Sequence, residues 1–187
     1  MRKIHPEIGC CGIDCGLCPR FYTQGNSRCP GCGGEGFEVK HPPCAVKTCC
    51  ADKHELEACG QCAEYPCQKY ENKEKIQRDS FVTHKGIFQN HEYIKDHGLD
   101  NFIAEQNGRI IILRELLTSF DDGRSKGFYC LAAALLPPEQ LRAAIDAAVS
   151  EDDKKTRVKI LKTTLQKYAE AKGVVLSLRK GRNQIYG

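Results

Sequence analysis

Through the second half of the chain apolar residues return every three or four positions, the period of a helix with one buried face. Leu113, Leu116, Leu117 and Phe120 share such a face, in a segment that Asp100 is placed to cap and Asp122-Gly123 to close. Asn90 is placed to cap a shorter helix ending before Gly98, and a third runs from about Lys126 to Leu136, where the small residues Ala132 to Ala134 permit close packing. Pro137-Pro138-Glu139 opens a fourth, with Leu141, Ile145 and Val149 turned inward. The clearest pattern starts at Ser150 as cap, has Glu151, Asp152 and Asp153 in its first turn, and brings Val158, Leu161, Leu165 and Tyr168 to one side before Gly173 stops it. Amphipathic helices joined by short loops predict a bundle.

The chain up to Tyr70 shows no such period. Cys29-Pro30-Gly31-Cys32-Gly33-Gly34 and His41-Pro42-Pro43-Cys44 read as turns with at most short strands between them. Pro66 then introduces a charged stretch, Cys67 to Asp79, that reads as a helix. The fold class expected is therefore mostly α: a small loop-rich Cys metal-binding module over residues 1–70, followed by an all-α helical bundle over residues 71–187.

Composition sharpens that division. Val, Ile, Leu, Met, Phe and Tyr number 13 up to Tyr70 and 36 in the longer stretch after it, while twelve of the thirteen cysteines lie between Cys10 and Cys67. A segment so short of apolar side chains and so rich in thiols has to be held by disulfides or by metal. The Met-Arg-Lys-Ile-His-Pro-Glu-Ile-Gly start lacks the apolar run of an export signal, and the apolar run Tyr129 to Leu136 is too short to span a membrane. The expectation is a cytoplasmic chain with reduced thiols, and an odd cysteine count fits a disulfide framework poorly. Metal is the reading that remains.

Three Cys-x-x-Cys pairs, Cys15/Cys18, Cys29/Cys32 and Cys59/Cys62, have the spacing and the Pro and Gly neighbours of zinc knuckles, whose turns wrap tightly around an ion. With Cys11, Cys44, Cys49 and Cys67 they make ten candidate ligands. The simplest sequential assignment puts Cys15, Cys18, Cys29 and Cys32 on one zinc and Cys44, Cys49, Cys59 and Cys62 on another, with Cys11 and Cys67 free to complete a third site; interleaved assignments are equally open. Cys10 and Cys50 each adjoin another cysteine and read as spare, and His41 and His54 as solvated. An iron-sulfur cluster for electron transfer or sensing is the alternative cofactor, because Cys11-x-x-x-Cys15-x-x-Cys18 and the Cys-Pro pairs echo cluster-binding loops.

The segments Cys11-Gly12-Ile13-Asp14-Cys15-Gly16-Leu17-Cys18-Pro19, Cys29-Pro30-Gly31-Cys32 and Cys59-Gly60-Gln61-Cys62-Ala63-Glu64-Tyr65-Pro66-Cys67 together resemble the prokaryotic Cys-rich family called domain of unknown function 3795. The resemblance covers about residues 9–70, and Tyr93-Ile94-Lys95-Asp96-His97-Gly98 is similar to the helix that often follows. It implies a cytosolic prokaryotic protein that binds metal, with no assigned activity.

Charge changes the picture little. The net charge is +4, and Lys172, Arg179, Lys180 and Arg182 in the tail account for the excess; they read as solvated. Nucleic-acid binding through zinc knuckles, with Phe21, Tyr22 and Phe37, is a further alternative that the balanced charge of the cysteine-rich part disfavours, and a protein partner for the helices is a third reading. Asp121 to Lys126 is the most polar segment of the second half, read as a helix-to-helix turn with Ser125 as cap, and Cys130 as a buried small side chain. No catalytic constellation is recognised, so whether the chain is an enzyme stays open.

Overall fold

The computed structural model describes residues 2–178, which form two compact units that divide between Gln106 and Asn107. Among the described residues there are helices and turns and no strand. Arg179, Lys180 and Arg182 of the basic tail lie outside them.

The first unit is built from short pieces. Tight turns at Cys15–Leu17, Pro19–Tyr22 and Gly25–Ser27 lead to the single helical turns α1 (Phe37–Lys40) and α2 (Ala45–Lys47), and α2 widens into a π-helical stretch at Thr48–Lys53. Further tight turns follow at Cys59–Gln61 and Gln68–Tyr70, then α3 (Lys73–Ile76) and the first regular helix, α4 (Ile87–His97). Gly98, at φ +86°, ends α4 and lets α5 (Leu99–Ser119) start at once. The Cys-rich stretch ends near Tyr70, but the unit that holds it continues into α5. The reason is apolar surface: Ile94 of α4 and Phe102 of α5 pack with Ile8 and Ala58 in a small cluster that the cysteine loops alone could not build.

Several local expectations are revised. Asp100 lies inside the first turn of α5 rather than ahead of it, and Val149, expected inward, is exposed. Cys67 to Asp79 is not one helix: Tyr70 turns inward to 3% exposure, and Asn72 then caps a fresh turn by accepting the Lys75 N–H at 2.9 Å. Asn90 is not a cap either, because α4 already starts at Ile87. Its amide donates instead to the Gly12 carbonyl at 2.9 Å and to Asp14 Oδ1 at 2.8 Å, so α4 grips the Cys11–Cys15 loop.

In the second unit the remainder of α5 is followed by α6 (Lys126–Leu135), α7 (Pro138–Val149) and α8 (Lys154–Ala171). Leu113, Leu116, Leu136, Leu141, Leu161 and Leu165 are fully buried, and Ala132, Ala133, Ala144, Ala148 and Ala169 sit among them at close approach. Arg109 donates to the Ala133 and Leu136 carbonyls, both at 2.8 Å, and so closes the open end of α6. The cap of α8 is Asp153 rather than Ser150, its carboxylate accepting from the N–H and the hydroxyl of Thr156 at 2.7 Å each. Gly173, at φ +68°, is the expected stop.

Candidate metal centre

The thiols of the first unit do not all group by their Cys-x-x-Cys pairs. Cys10, Cys32, Cys50 and Cys59, which come from four separate loops, meet in one interior cluster with Tyr65, Tyr70 and Ile87, at 1%, 8%, 3% and 9% exposure. Electrostatic coupling links their side chains in a string: Cys32 with Cys10, Cys10 with Cys50, and Cys50 with Cys59. The Cys10 N–H also donates to Cys32 Sγ at 3.5 Å. Cys10 and Cys50, which adjacency to another cysteine had marked as spare, are thus the middle links of the string. Sequence spacing could not reveal this, since Cys32 and Cys50, the neighbours of Cys10 in space, lie on loops remote from it along the chain.

Electrostatics divide the string in two. Cys32 and Cys50 pull the Cys10 thiol down, and Cys50 pulls Cys59 down. Cys32 and Cys50 are pushed up by the same neighbours and by burial, so they stand as the proton-bearing partners, the Cys50 thiol donating to the Leu56 carbonyl at 3.4 Å. Lys3 and Lys47 add positive potential at Cys10, and both lysines are themselves buried. Each has its own counterion: Lys3 faces Glu57 at 3.8 Å and donates to the Ile8 carbonyl, and Lys47 meets Asp52 at 3.0 Å. Glu57 in turn accepts from the N–H groups of Ile4 at 2.8 Å and His5 at 3.0 Å, which ties the N-terminal strap over the cluster.

A second group lies beside the first. Cys15 feels Cys11, Cys18 and Cys29, and burial pushes Cys15 and Cys18 up; Cys11 is raised to about 12, chiefly by burial, with Cys44 its strongest thiol neighbour. Cys32 reaches toward Cys15 as well as Cys10, so it stands between the groups. Cys44, Cys49, Cys62 and Cys67 are half-buried, with Cys62 and Cys67 packed against the edge of the interior cluster. The turn at Cys59–Cys62 is shaped by Gln61, whose side-chain oxygen accepts from the Glu57 and Ala58 N–H groups at 2.9 and 3.1 Å.

The donors suit a soft or borderline cation: sulfur from separate loops, buried and with amide and lysine support. The string is nevertheless open, and among the described residues no three His, Cys, Asp or Glu side chains are gathered around one point as an ion requires.

One residue that spacing did not mark is His91. It is completely buried, held neutral by burial with its pKa lowered to about 4, and sits between the rings of Tyr65 and Tyr70 at centroid distances of 4.6 and 5.4 Å. Ile87, His91 and Ile94 recur at helical spacing, the only sequence signal that it faces inward.

Elsewhere the polar segment of the second unit is a turn. Asp121 Oδ1 accepts the Gly123 N–H at 3.1 Å, Asp122 Oδ1 accepts the Arg124 N–H at 3.0 Å, and Asp122 Oδ2 pairs with Lys162 at 2.8 Å. Ser125 starts α6, but its hydroxyl donates to Asp122 rather than capping the helix. Cys130 is buried within α6.

Compared with known families, residues 7–72 match the model of the family described as Protein of unknown function (DUF3795), the stretch whose cysteine motifs carry the resemblance. No curated protein and no solved structure matches the chain. Among the described residues no helix is long and apolar enough to cross a membrane.

Proposed function

We propose that the first unit is a structural zinc module of a cytoplasmic metal-binding protein, with one ion on Cys10, Cys32, Cys50 and Cys59 and a second in the Cys11, Cys15, Cys18 and Cys29 group. The observation that carries this reading is the meeting of four thiols from separate parts of the chain in one buried, electrostatically coupled cluster. Thiols in mutual contact suit a single ion. Around a tetrahedral zinc with Zn–S bonds of about 2.3 Å, sulfurs lie about 3.8 Å apart, whereas the irons and sulfides of a cluster separate its thiolates much further. Binding draws the string closed, releases the protons held by Cys32 and Cys50, and leaves a negative site that Lys3 and Lys47 offset.

The role of such a module is to join loops that have little apolar surface of their own, leaving the helical unit to meet a partner. Elemental analysis and a visible spectrum of the full chain, purified without oxygen and without a histidine tag, test the reading. About two equivalents of zinc in a colourless sample are expected. Iron with acid-labile sulfide, or no metal at all, would overturn it.

A further inference from the structure

Cys59 is the end of the thiol string, and beyond it the coupling continues. Tyr70 packs in the same interior cluster as Cys59, where it helps hold that thiol below its ordinary range, and its hydroxyl lies 3.1 Å from Nε2 of His91. A tyrosine hydroxyl has one proton, so it cannot donate to both. Nδ1 of His91 is buried and has no hydrogen-bond partner. A proton on Nδ1 would be an orphaned donor in the interior, which is rarer in folded proteins than an unused acceptor. The proton therefore sits on Nε2, the imidazole donates to Tyr70, and the tyrosine proton is left for sulfur.

The loops close on His91 directly. A side chain at Gly12 would put its Cβ 2.8 Å from Nε2, and one at Gly60 would come 2.8 Å from the His91 carbonyl. Each glycine follows a cysteine, Cys11 or Cys59, so the two loops that carry those thiols are shaped around this one imidazole.

We propose that His91 and Tyr70 are positioning residues of the thiolate site: His91 Nε2–H donates to the Tyr70 hydroxyl, which donates to Cys59 Sγ and fixes that sulfur's orientation and donor strength. This role rests on the reading of Cys10, Cys32, Cys50 and Cys59 as metal ligands.

The test is titration of the full chain with Co²⁺ and then Zn²⁺ under anaerobic conditions, for wild type, Tyr70→Phe, His91→Leu and His91→Gln. Tyr70→Phe is expected to keep the helical circular dichroism, to weaken metal binding by about 10 to 100-fold, and to move the sulfur-to-cobalt charge-transfer band to lower energy, since a sulfur that loses a hydrogen bond donates charge more readily. His91→Leu should move the band the same way, and His91→Gln, whose amide can donate in place of the ring, should largely restore it. Long-range proton–nitrogen spectra should find the imidazole proton on Nε2. Wild-type binding with an unmoved band and unchanged affinity in Tyr70→Phe, or a proton on Nδ1, overturns the relay alone. A wild type that takes up no metal overturns the site and the relay together.

Discussion

The two units bury different chemistry. In the second, Leu113, Leu116, Leu141, Leu161 and Leu165 meet alanines in an interior of aliphatic carbon, and the cost of ordering the chain is met by removing that carbon from water. In the first, the interior holds Cys10, Cys32, Cys50 and Cys59, the rings of Tyr65, Tyr70 and His91, and the charged side chains of Lys3, Lys47, Asp14 and Glu57. Buried polar groups stabilise little by themselves and cost much when a partner is lost. The helical unit is thus held by burial spread over many side chains, and the cysteine unit by a few specific bonds. A core of the first kind tolerates loss by degrees, and one of the second kind does not.

Metal removal should separate the two most strongly. A thiol-selective chelator added to the full chain is expected to abolish hydrogen-exchange protection in residues 7–72, because each structural site contributes about 10 to 16 kcal/mol near neutral pH, while α7 and α8 stay protected. Loss of protection in both units at the same chelator concentration would break the comparison. Next in size is Leu161→Ala, which should cost the helical unit about 2–5 kcal/mol in denaturant unfolding and leave zinc content unchanged. Gly12→Ala comes third: at φ +84° and with Nε2 of His91 in the way, an added methyl group should cost about 1–3 kcal/mol and lower zinc affinity as well, an effect a purely local strain would not produce.

The smallest effect concerns acid. Hydrogen bonds from Lys162, Ser125 and the Arg124 N–H hold the Asp122 carboxyl below the ordinary range, and those from Thr156 do the same for Asp153. Both are depressed in the folded state, so their contribution is present above the ordinary carboxyl value of 3.8 and fades as pH falls below it. Asp122→Asn should therefore lower the melting temperature of the helical unit slightly at neutral pH and flatten its acid limb, so that variant and wild type converge as pH falls.

Helical periodicity made the second unit legible. The faces of α5 and α8, Leu141 and Ile145 on α7 and the stop at Gly173 follow from spacing and local chemistry, while Val149 is exposed, Asp100 and Ser125 do not cap, and the α8 cap moves from Ser150 to Asp153. Such features are local, each set by residues within a turn of one another. The cysteine unit was legible as a composition and as a resemblance over residues 7–72, but its thiol partnerships were not. Cys10 and Cys59 are neighbours because Cys50 joins them and α4 holds both loops from below, through Asn90 to Gly12 and His91 against Gly60. Nothing in Cys-x-x-Cys spacing encodes an arrangement that depends on α4, a helix that begins only at Ile87, well past the last of these cysteines.

The claim that Cys10 and Cys50 are central to the module separates this account from a sequential pairing of Cys-x-x-Cys motifs. It is tested most directly by the zinc content of the full chain with Cys10→Ser and Cys50→Ser together, measured beside wild type and beside Cys44→Ser with Cys49→Ser. The account predicts that the first pair loses one equivalent of zinc while the second keeps both; full zinc content in the first pair and a loss in the second would contradict it.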